Sequence, residues 1–220
     1  VRAAEASGFD ADLWRQLVDF GITTMRIPES AAGSDMGLLE ALLVAEEAGR
    51  HLVSVPLAES LPAARLLAQL DSPAATALLD QVKQGELITL APQPYCAGRS
   101  IALPGANAAI AVLARQGDTI LALTGLAAKP PSANLGADSL QILADDDHTV
   151  ESHIVASGFE SCRAFEQAVE EWKLLKAAML MGLAHQALKL AAVYSCERQQ
   201  FGRAIGGFQG IAHPLADALT

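Results

Sequence analysis

The residues best suited to chemistry crowd into one short stretch near the end of the chain. Glu197, Arg198, Gln199, Gln200, Phe201 and Gly202 are followed by Arg203, Ile205, the Gly206-Gly207 pair, Phe208 and Gln209, and then by His213, Pro214, Leu215, Ala216 and Asp217. Read physically, this is a helix end bearing a cation, two amides and an aromatic ring, then a turn that glycine permits, then a new helix start. On residue types alone it is either an ordinary helical corner with Arg198 in water or a set of donors kept for a ligand. Glu170, Glu171 and Lys173 form a second charged group, where the carboxylates would complement a helix N-terminus. His148 and His153 lie close to Asp145, Asp146 and Asp147 and could suggest a metal. A strand would set those histidines on opposite faces, so we expect an acidic turn and no metal site. His185 on an apolar face reads as a core histidine, and Gly182 and Ala184 as close-packing positions. Cys96 has no neighbouring His to activate it. No phosphate-binding loop and no Ser-His-Asp arrangement is present.

Composition narrows the classes. Of 220 residues, 51% are hydrophobic and 18% charged, enough apolar material for two or three compact units around a sizeable core. Fifteen basic against twenty-five acidic side chains leave a formal charge of −10, which argues against a nucleic-acid backbone as partner. Apolar runs are interrupted by Asp, Glu, Arg, Gln or Gly before they reach the length of a membrane span, so none is expected. No charged-then-apolar leader points to secretion. Cys96, Cys162 and Cys196 are odd in number and far apart, which fits reduced thiols and a cytoplasmic location. The chain opens on Val1 and closes on Thr220 inside a helical pattern, so further residues are expected in the native protein.

The elements that must position these residues follow from periodicity and punctuation. Residues 1–85 read as a helical domain. Asp10 caps a first helix carrying Leu13, Trp14, Leu17 and Val18 and closed by Gly21. A second begins after Ser34 or Asp35, with Leu38, Leu39, Leu42, Leu43 and Val44 on an apolar face, and ends near Gly49. Ser60 with Pro62, and Ser72 with Pro73, open a third and a fourth. Residues 86–160 alternate short apolar runs with turn residues, including a hairpin signal at Gln116, Gly117 and Asp118, and predict a small, mostly antiparallel β domain of five to seven strands. From Arg163 the helical period returns until about Arg198, with Val169, Trp172, Leu175, Met179, Leu183, Gln186, Leu190 and Val193 on one stripe. So little charge between Lys176 and Lys189 predicts burial in a bundle or subunit interface. Residues 161–220 are then the start of a C-terminal helical bundle, and the whole is an α+β plan.

With these residues placed, the 197–209 stretch resembles the signature of the acyl-CoA dehydrogenases, flavoproteins that oxidise acyl-CoA thioesters. Glu197, Arg198, Phe201, Gly202, Ile205, Phe208 and Gln209 meet each fixed position, and Leu215-Ala216-Asp217 follows as in the family. Leu13-Trp14 to Gly21, then Ile27-Pro28-Glu29 with Gly33, is similar to the family's N-terminal domain, whereas the β domain matches least well. The resemblance implies FAD as cofactor, held for a neighbouring subunit by Arg198 and Gln209, with Gln199, Gln200, Phe201 and Phe208 alongside. A guanidinium fork suits a pyrophosphate, and a helix start near Gln209 would add its dipole. It implies an acyl-CoA substrate, an acceptor like electron-transfer flavoprotein, and a homo-oligomer or a heterotetramer with a second such subunit.

The same resemblance exposes departures. The reaction needs a carboxylate in a dry pocket to remove the α-proton. In many members it lies beyond residue 220; in a minority it sits near the start of the long helix, at the position of Trp172 here. Glu171 is the adjacent candidate, one helical step of about 100° away. Lys173 falls where members often carry Arg, as a substrate contact or a solvated cation. Members usually have Thr-Glu-Pro and a Gly-Ser turn after the first strand, where this chain has Ala91, Pro92, Gln93, Pro94 and Tyr95. The later flavin-packing Trp is missing, since no Trp lies between Trp14 and Trp172. Ala32-Gly33-Ser34-Asp35 is similar to the missing turn but reads as a loop and N-cap. Three functions follow: a self-sufficient dehydrogenase; a companion subunit that completes a catalytic partner's FAD site; or a flavin-free helical scaffold.

Overall fold

A computed structural model describes residues 7–96, 99–128, 130–134, 139–144 and 150–219. Helices α1 (Ala11–Asp19), α2 (Leu38–Arg50), α3 (Leu57–Gln69) and α4 (Pro73–Lys83) precede six strands: β1 (Ile88–Leu90), β2 (Ile101–Pro104), β3 (Ala111–Gln116), β4 (Thr119–Thr124), β5 (Leu140–Leu143) and β6 (Glu151–Ser157). Then come α5 (Phe159–Glu197), the ribbon β7 (Gln199–Gln200) and β8 (Arg203–Ala204), and α6 (Gln209–Asp217). This is the expected α+β class.

The punctuation explains most boundaries. Asp10 accepts from the Leu13 amide, and Ser72 accepts from the Ala75 amide ahead of Pro73. The Ser72 hydroxyl also donates to the Val155 carbonyl, tying α4 to β6. The third helix departs from expectation, starting at Leu57 with Pro62 inside it. Residues of α3 from Leu57 to Ala64 are all buried, so packing on every side outweighs the lost amide. The second helix starts at Leu38 with Gly37 as N-cap, two or three residues later than expected, and Ala32 to Asp35 form loop only.

The sheet runs β1-β3-β4-β6, with β2-β5 as a separate pair. The β1–β3 pair is parallel and the remaining pairs are antiparallel. The hairpin turn falls at Gly117, where φ is 60°. One core cluster lies between α3, α4, α5 and the sheet, with Leu66, Leu67, Ile88 and Leu113 fully buried in it.

Helices α2 and α5 make the most intimate contact. A Cβ on Gly49 would fall 1.9 Å from the Met179 carbonyl oxygen, and one on Gly182 would fall 1.8 Å from that of Glu46. Only hydrogen fits at either place, so the backbones touch and the buried face of α2 is Ala41, Ala45, Ala48 and Gly49. The expected apolar face is met only in part: Leu42 and Val44 pack against the core, while Leu39 and Leu43 are exposed. Gly182 is the close-packing position anticipated, whereas Ala184 is exposed. His185 is no core histidine either; it is exposed, with Nδ1 3.5 Å from Glu46 Oε1.

The long stripe on α5 is buried only in its first half, at Leu175, while Leu190 and Val193 stand in solvent beside Leu180, Met181 and Tyr194. One 18-residue window of α5 reaches a mean hydropathy of 1.2, so by length and composition alone that part of the helix is apolar enough to cross a membrane. Gly182, His185 and Gln186 break the apolar run in sequence without adding formal charge, so the uninterrupted runs stay short while the window as a whole stays apolar. The helix instead packs on α2 and α3 over its first half.

Candidate functional site

The corner at the end of α5 is built by four local devices. Arg198 caps α5, its amide bonded to the Tyr194 carbonyl at 2.9 Å, and its own carbonyl receives the Ile205 amide at 2.9 Å. Between them Gln199 pairs with Ala204 and Gln200 with Arg203. The two-residue turn puts Phe201 at φ 52° and Gly202 at φ 79°, the double left-handed turn that matches strand twist. A short turn at Ile205–Gly207 then lies against α5, where a Cβ on Gly206 would come within 2.9 Å of Ser195 Oγ. Phe208 is the N-cap residue of α6 and Gln209 its first residue.

The side chains at this corner are largely uncommitted. The side chains of Arg198, Gln199, Gln200 and Gln209 form no hydrogen bond or ion pair among the described residues, and all four residues are exposed. Phe201 is 93% exposed, its ring edge-on to Phe208 at 6.1 Å. The Arg203 guanidinium lies 4.1 Å over the Phe208 ring. Arg203 was missed in sequence because it occupies a variable place in the signature; a second cation in a two-residue hairpin was the available signal. The donor set is one guanidinium, three amides and the free N–H groups of a nine-residue helix. That set fits a pyrophosphate, and the aromatic pair offers a face to a planar base.

Glu171 has a different setting. It is 4% exposed, with Oε1 2.7 Å from Arg26 Nε and Oε2 bonded to Arg26 Nη2 at 3.1 Å and Arg65 Nη1 at 2.7 Å. Both oxygens are therefore committed to guanidinium donors. The helix-dipole reading gives way to a tie between α5 and the N-terminal helices, and no oxygen remains free to collect a proton. Lys173 forms an exposed pair with Glu170 at 2.6 Å.

A second polar centre, Glu59, was not foreseen. It is 1% exposed on α3, and its Oε1 receives Trp172 Nε1 at 3.0 Å and Lys176 Nζ at 2.8 Å. Trp172 is thus not merely a proton-free residue in place of a base; it anchors a buried carboxylate from the neighbouring helix. The three residues meet beside a cleft of about 160 Å³ between α3, α5 and the β2 and β5 strands. Sequence offered little signal, because Glu59 is a lone carboxylate in a mostly apolar helix and its partners lie more than a hundred residues away.

Among the described residues no group of His, Cys, Asp and Glu could hold a metal ion. Asp145, Asp146, Asp147 and His148 lie outside them. His153 is on β6, 3.6 Å from Glu151. The three cysteines are free, with only Cys162 buried.

Comparison with known proteins agrees with this geometry. The acyl-CoA dehydrogenase N-terminal domain model matches residues 1–72 and the C-terminal domain model residues 162–220, together more than half of the chain. A curated relative, acyl-CoA dehydrogenase IpdE2 of Mycobacterium tuberculosis, is 31% identical over 99% of this chain and 64% of its own length. The chain thus spans just under two thirds of that relative. Among solved structures, the Tcur3481-Tcur3483 steroid ACAD variant aligns with a TM-score of 0.79 at 27% identity, covering 98% of this chain and 66% of that one. The ChsE4-ChsE5 complex from Mycobacterium tuberculosis aligns with a TM-score of 0.67 at 26% identity, covering 95% and 64%. Domain models at both ends, a relative along the whole sequence and the shared fold converge: this chain belongs to the acyl-CoA dehydrogenase family.

Proposed function

We propose that this chain is a cytoplasmic subunit of an FAD-dependent acyl-CoA dehydrogenase, and that its Arg198–Gln209 corner grips FAD whose reactive ring lies in a neighbouring subunit. The observation that carries the reading is the length of α5. Lys176, at the cleft, and Arg198, at the corner, are on one uninterrupted helix and stand about 33 Å apart along it. The ribityl chain joining the flavin ring to its pyrophosphate has five carbons, a reach under about 10 Å at ordinary bond lengths. A dinucleotide gripped at this corner therefore cannot place its ring in this chain's own cleft. The corner serves another polypeptide.

When bound, FAD supplies the hydride acceptor for α,β-dehydrogenation of an acyl-CoA thioester, with reoxidation by an electron-transfer flavoprotein. The residues of this chain bind and orient. Arg198 neutralises pyrophosphate charge as a two-pronged donor, Gln209 and the α6 N-terminus add amide donors, and Phe201, Phe208, Gln199 and Gln200 frame the adenosine end.

Within this reading a companion role is favoured by the cleft. Its volume of about 160 Å³ falls below the roughly 300–1,000 Å³ of small-molecule pockets, and the Glu59–Lys176 ion pair stands in its wall. Ala91, Pro92 and Gln93 offer no hydroxyl where the strand ends, and Glu171 is locked. The likeness to the Tcur3481-Tcur3483 and ChsE4-ChsE5 structures, each named for two components, supports a heteromeric assembly.

The test compares flavin absorbance of the full-length protein purified alone and with a co-expressed acyl-CoA dehydrogenase partner. Flavin retained only in the mixture supports the companion role. Stoichiometric flavin in the protein alone favours self-sufficiency, and none in either favours a flavin-free scaffold. Arg198→Ala is expected to lower bound flavin at least tenfold while the circular dichroism spectrum stays unchanged. Undiminished flavin in that variant overturns the role of the corner.

A further inference from the structure

The ribbon at the end of α5 carries two arginines, and its register fixes their relation. Gln200 pairs with Arg203 and Gln199 with Ala204, while the Arg198 carbonyl receives the Ile205 amide. Directly opposed residues, and residues two apart along a strand, share a face. Arg198, Gln200 and Arg203 therefore stand on one face of the ribbon, the two arginines as diagonal neighbours within reach of long side chains. Both are exposed, and neither is paired with a carboxylate among the described residues, Glu197 included. Like charges so placed repel, and an anion held between them removes that cost.

Arg203 differs from Arg198 in being held. Its guanidinium lies 4.1 Å over the Phe208 ring. Its stem rests against Gly207, where a Cβ would stand 3.6 Å from Cδ and 3.8 Å from Nε. Phe201 meets the same ring edge-on at 6.1 Å, so the ring is itself braced. A guanidinium stacked by its flat face keeps its N–H edge free, and a fork already oriented loses less freedom when it binds. A pyrophosphate diester carries one negative charge on each phosphate, and Arg198 answers only one of them.

We propose that Arg203 is a second phosphate-binding residue of this corner, taking one phosphate of the FAD pyrophosphate while Arg198 takes the other, with Phe208 as the residue that positions it. The proposal rests on the flavin-gripping reading of the corner and adds a residue to it.

The test uses the full-length protein assembled with its co-expressed acyl-CoA dehydrogenase partner, stripped of flavin and titrated with FAD by fluorescence. Arg203→Gln is expected to weaken FAD binding about tenfold at low salt, the effect of losing a charge-assisted hydrogen bond. Raising salt from about 0.1 M to about 1 M shortens the Debye length from about 10 Å to about 3 Å, so the same loss is expected to shrink below about threefold. Arg203→Lys, which keeps the charge and gives up the fork, is expected to fall between the two. The mass of the complex by size exclusion is expected to stay unchanged. Arg198→Ala separates the two readings. If it releases flavin while Arg203→Gln binds FAD within about twofold of the parent, the corner reading stands and this proposal falls. If the complex binds no FAD, or neither variant changes its affinity, both fall. A loss of equal size at low and high salt, or a complex that dissociates in Arg203→Gln, makes Arg203 a structural or intersubunit residue and overturns the proposal.

Discussion

Replacing Glu171 by Leu tests whether the carboxylate beside Trp172 is architecture or catalyst. Arg26 is 8% exposed and among the described residues has Glu171 as its only counter-charge, with Nη1 donating to the Met36 carbonyl. Without the carboxylate its guanidinium is left buried and uncompensated, a change that typically costs about 3–5 kcal/mol. Arg65 is different. Its side chain is 34% exposed, so water takes up much of what it loses and its share is no more than about 1 kcal/mol. At roughly 2–4 °C per kcal/mol for a domain of this size, Glu171→Leu is expected to lower the melting temperature by about 6–20 °C, and Arg65→Met by no more than about 4 °C. The double variant Arg26→Met with Glu171→Leu removes both buried charges and is expected to recover most of the loss. Thermal unfolding by circular dichroism measures all four proteins. A Glu171→Leu loss below about 1 kcal/mol, or a double variant no better than the single, refutes the buried-tie reasoning.

Two further outcomes test the packing. Gly182→Ala forces a methyl group to within 1.8 Å of the Glu46 carbonyl, so despite alanine's better helix propensity it is expected to destabilise by about 1–3 kcal/mol in urea unfolding. Ser72→Ala loses the N-cap of α4 and the 2.6 Å bond to Val155, and is expected to cost about 1–2 kcal/mol by the same assay.

What sequence showed well was local. Ser72 before Pro73, Asp10 ahead of an apolar run, and the hairpin at Gly117 carry their structural meaning in neighbouring residues, and each folds as read. The 197–209 corner was legible as a helix end, turn and helix start for the same reason. The misreadings share the opposite property. Pro62 ends a helix by local rules, yet burial of α3 on every side carries the helix through it. Leu39 and Leu43 looked like a core face until two glycines, Gly49 and Gly182, drew α2 and α5 so close that only alanines fit between them. Glu171 and Glu59 gain their meaning from Arg26, Arg65, Trp172 and Lys176, partners contributed by distant segments. No pattern along the chain announces such pairs, because the energy that selects them arises only once the helices have packed.

The two halves of α5 differ in the kind of company they keep. Over its first half the helix is fixed by the Arg26–Glu171–Arg65 ties, by Glu59 with Trp172 and Lys176, and by backbone contact with α2 at Gly182. Beyond that point Leu190, Val193 and Tyr194 are exposed, and the helix ends in a hairpin whose cation and amides have no partner among the described residues. Apolar side chains left in water cost on the order of 1.5–3 kcal/mol each relative to burial, and aligning them with uncommitted donors is difficult to explain for an isolated chain. The arrangement is economical if the anchored half fixes the direction of the free half. A rigid helix held by buried charge at one end can present Arg198 to a neighbouring molecule at a set distance, which a flexible tail could not. Loosening the anchor should therefore be felt at the corner: Glu171→Leu, beyond its effect on melting, is expected to weaken flavin retention in the assembled enzyme although it lies about 40 Å along the helix from Arg198.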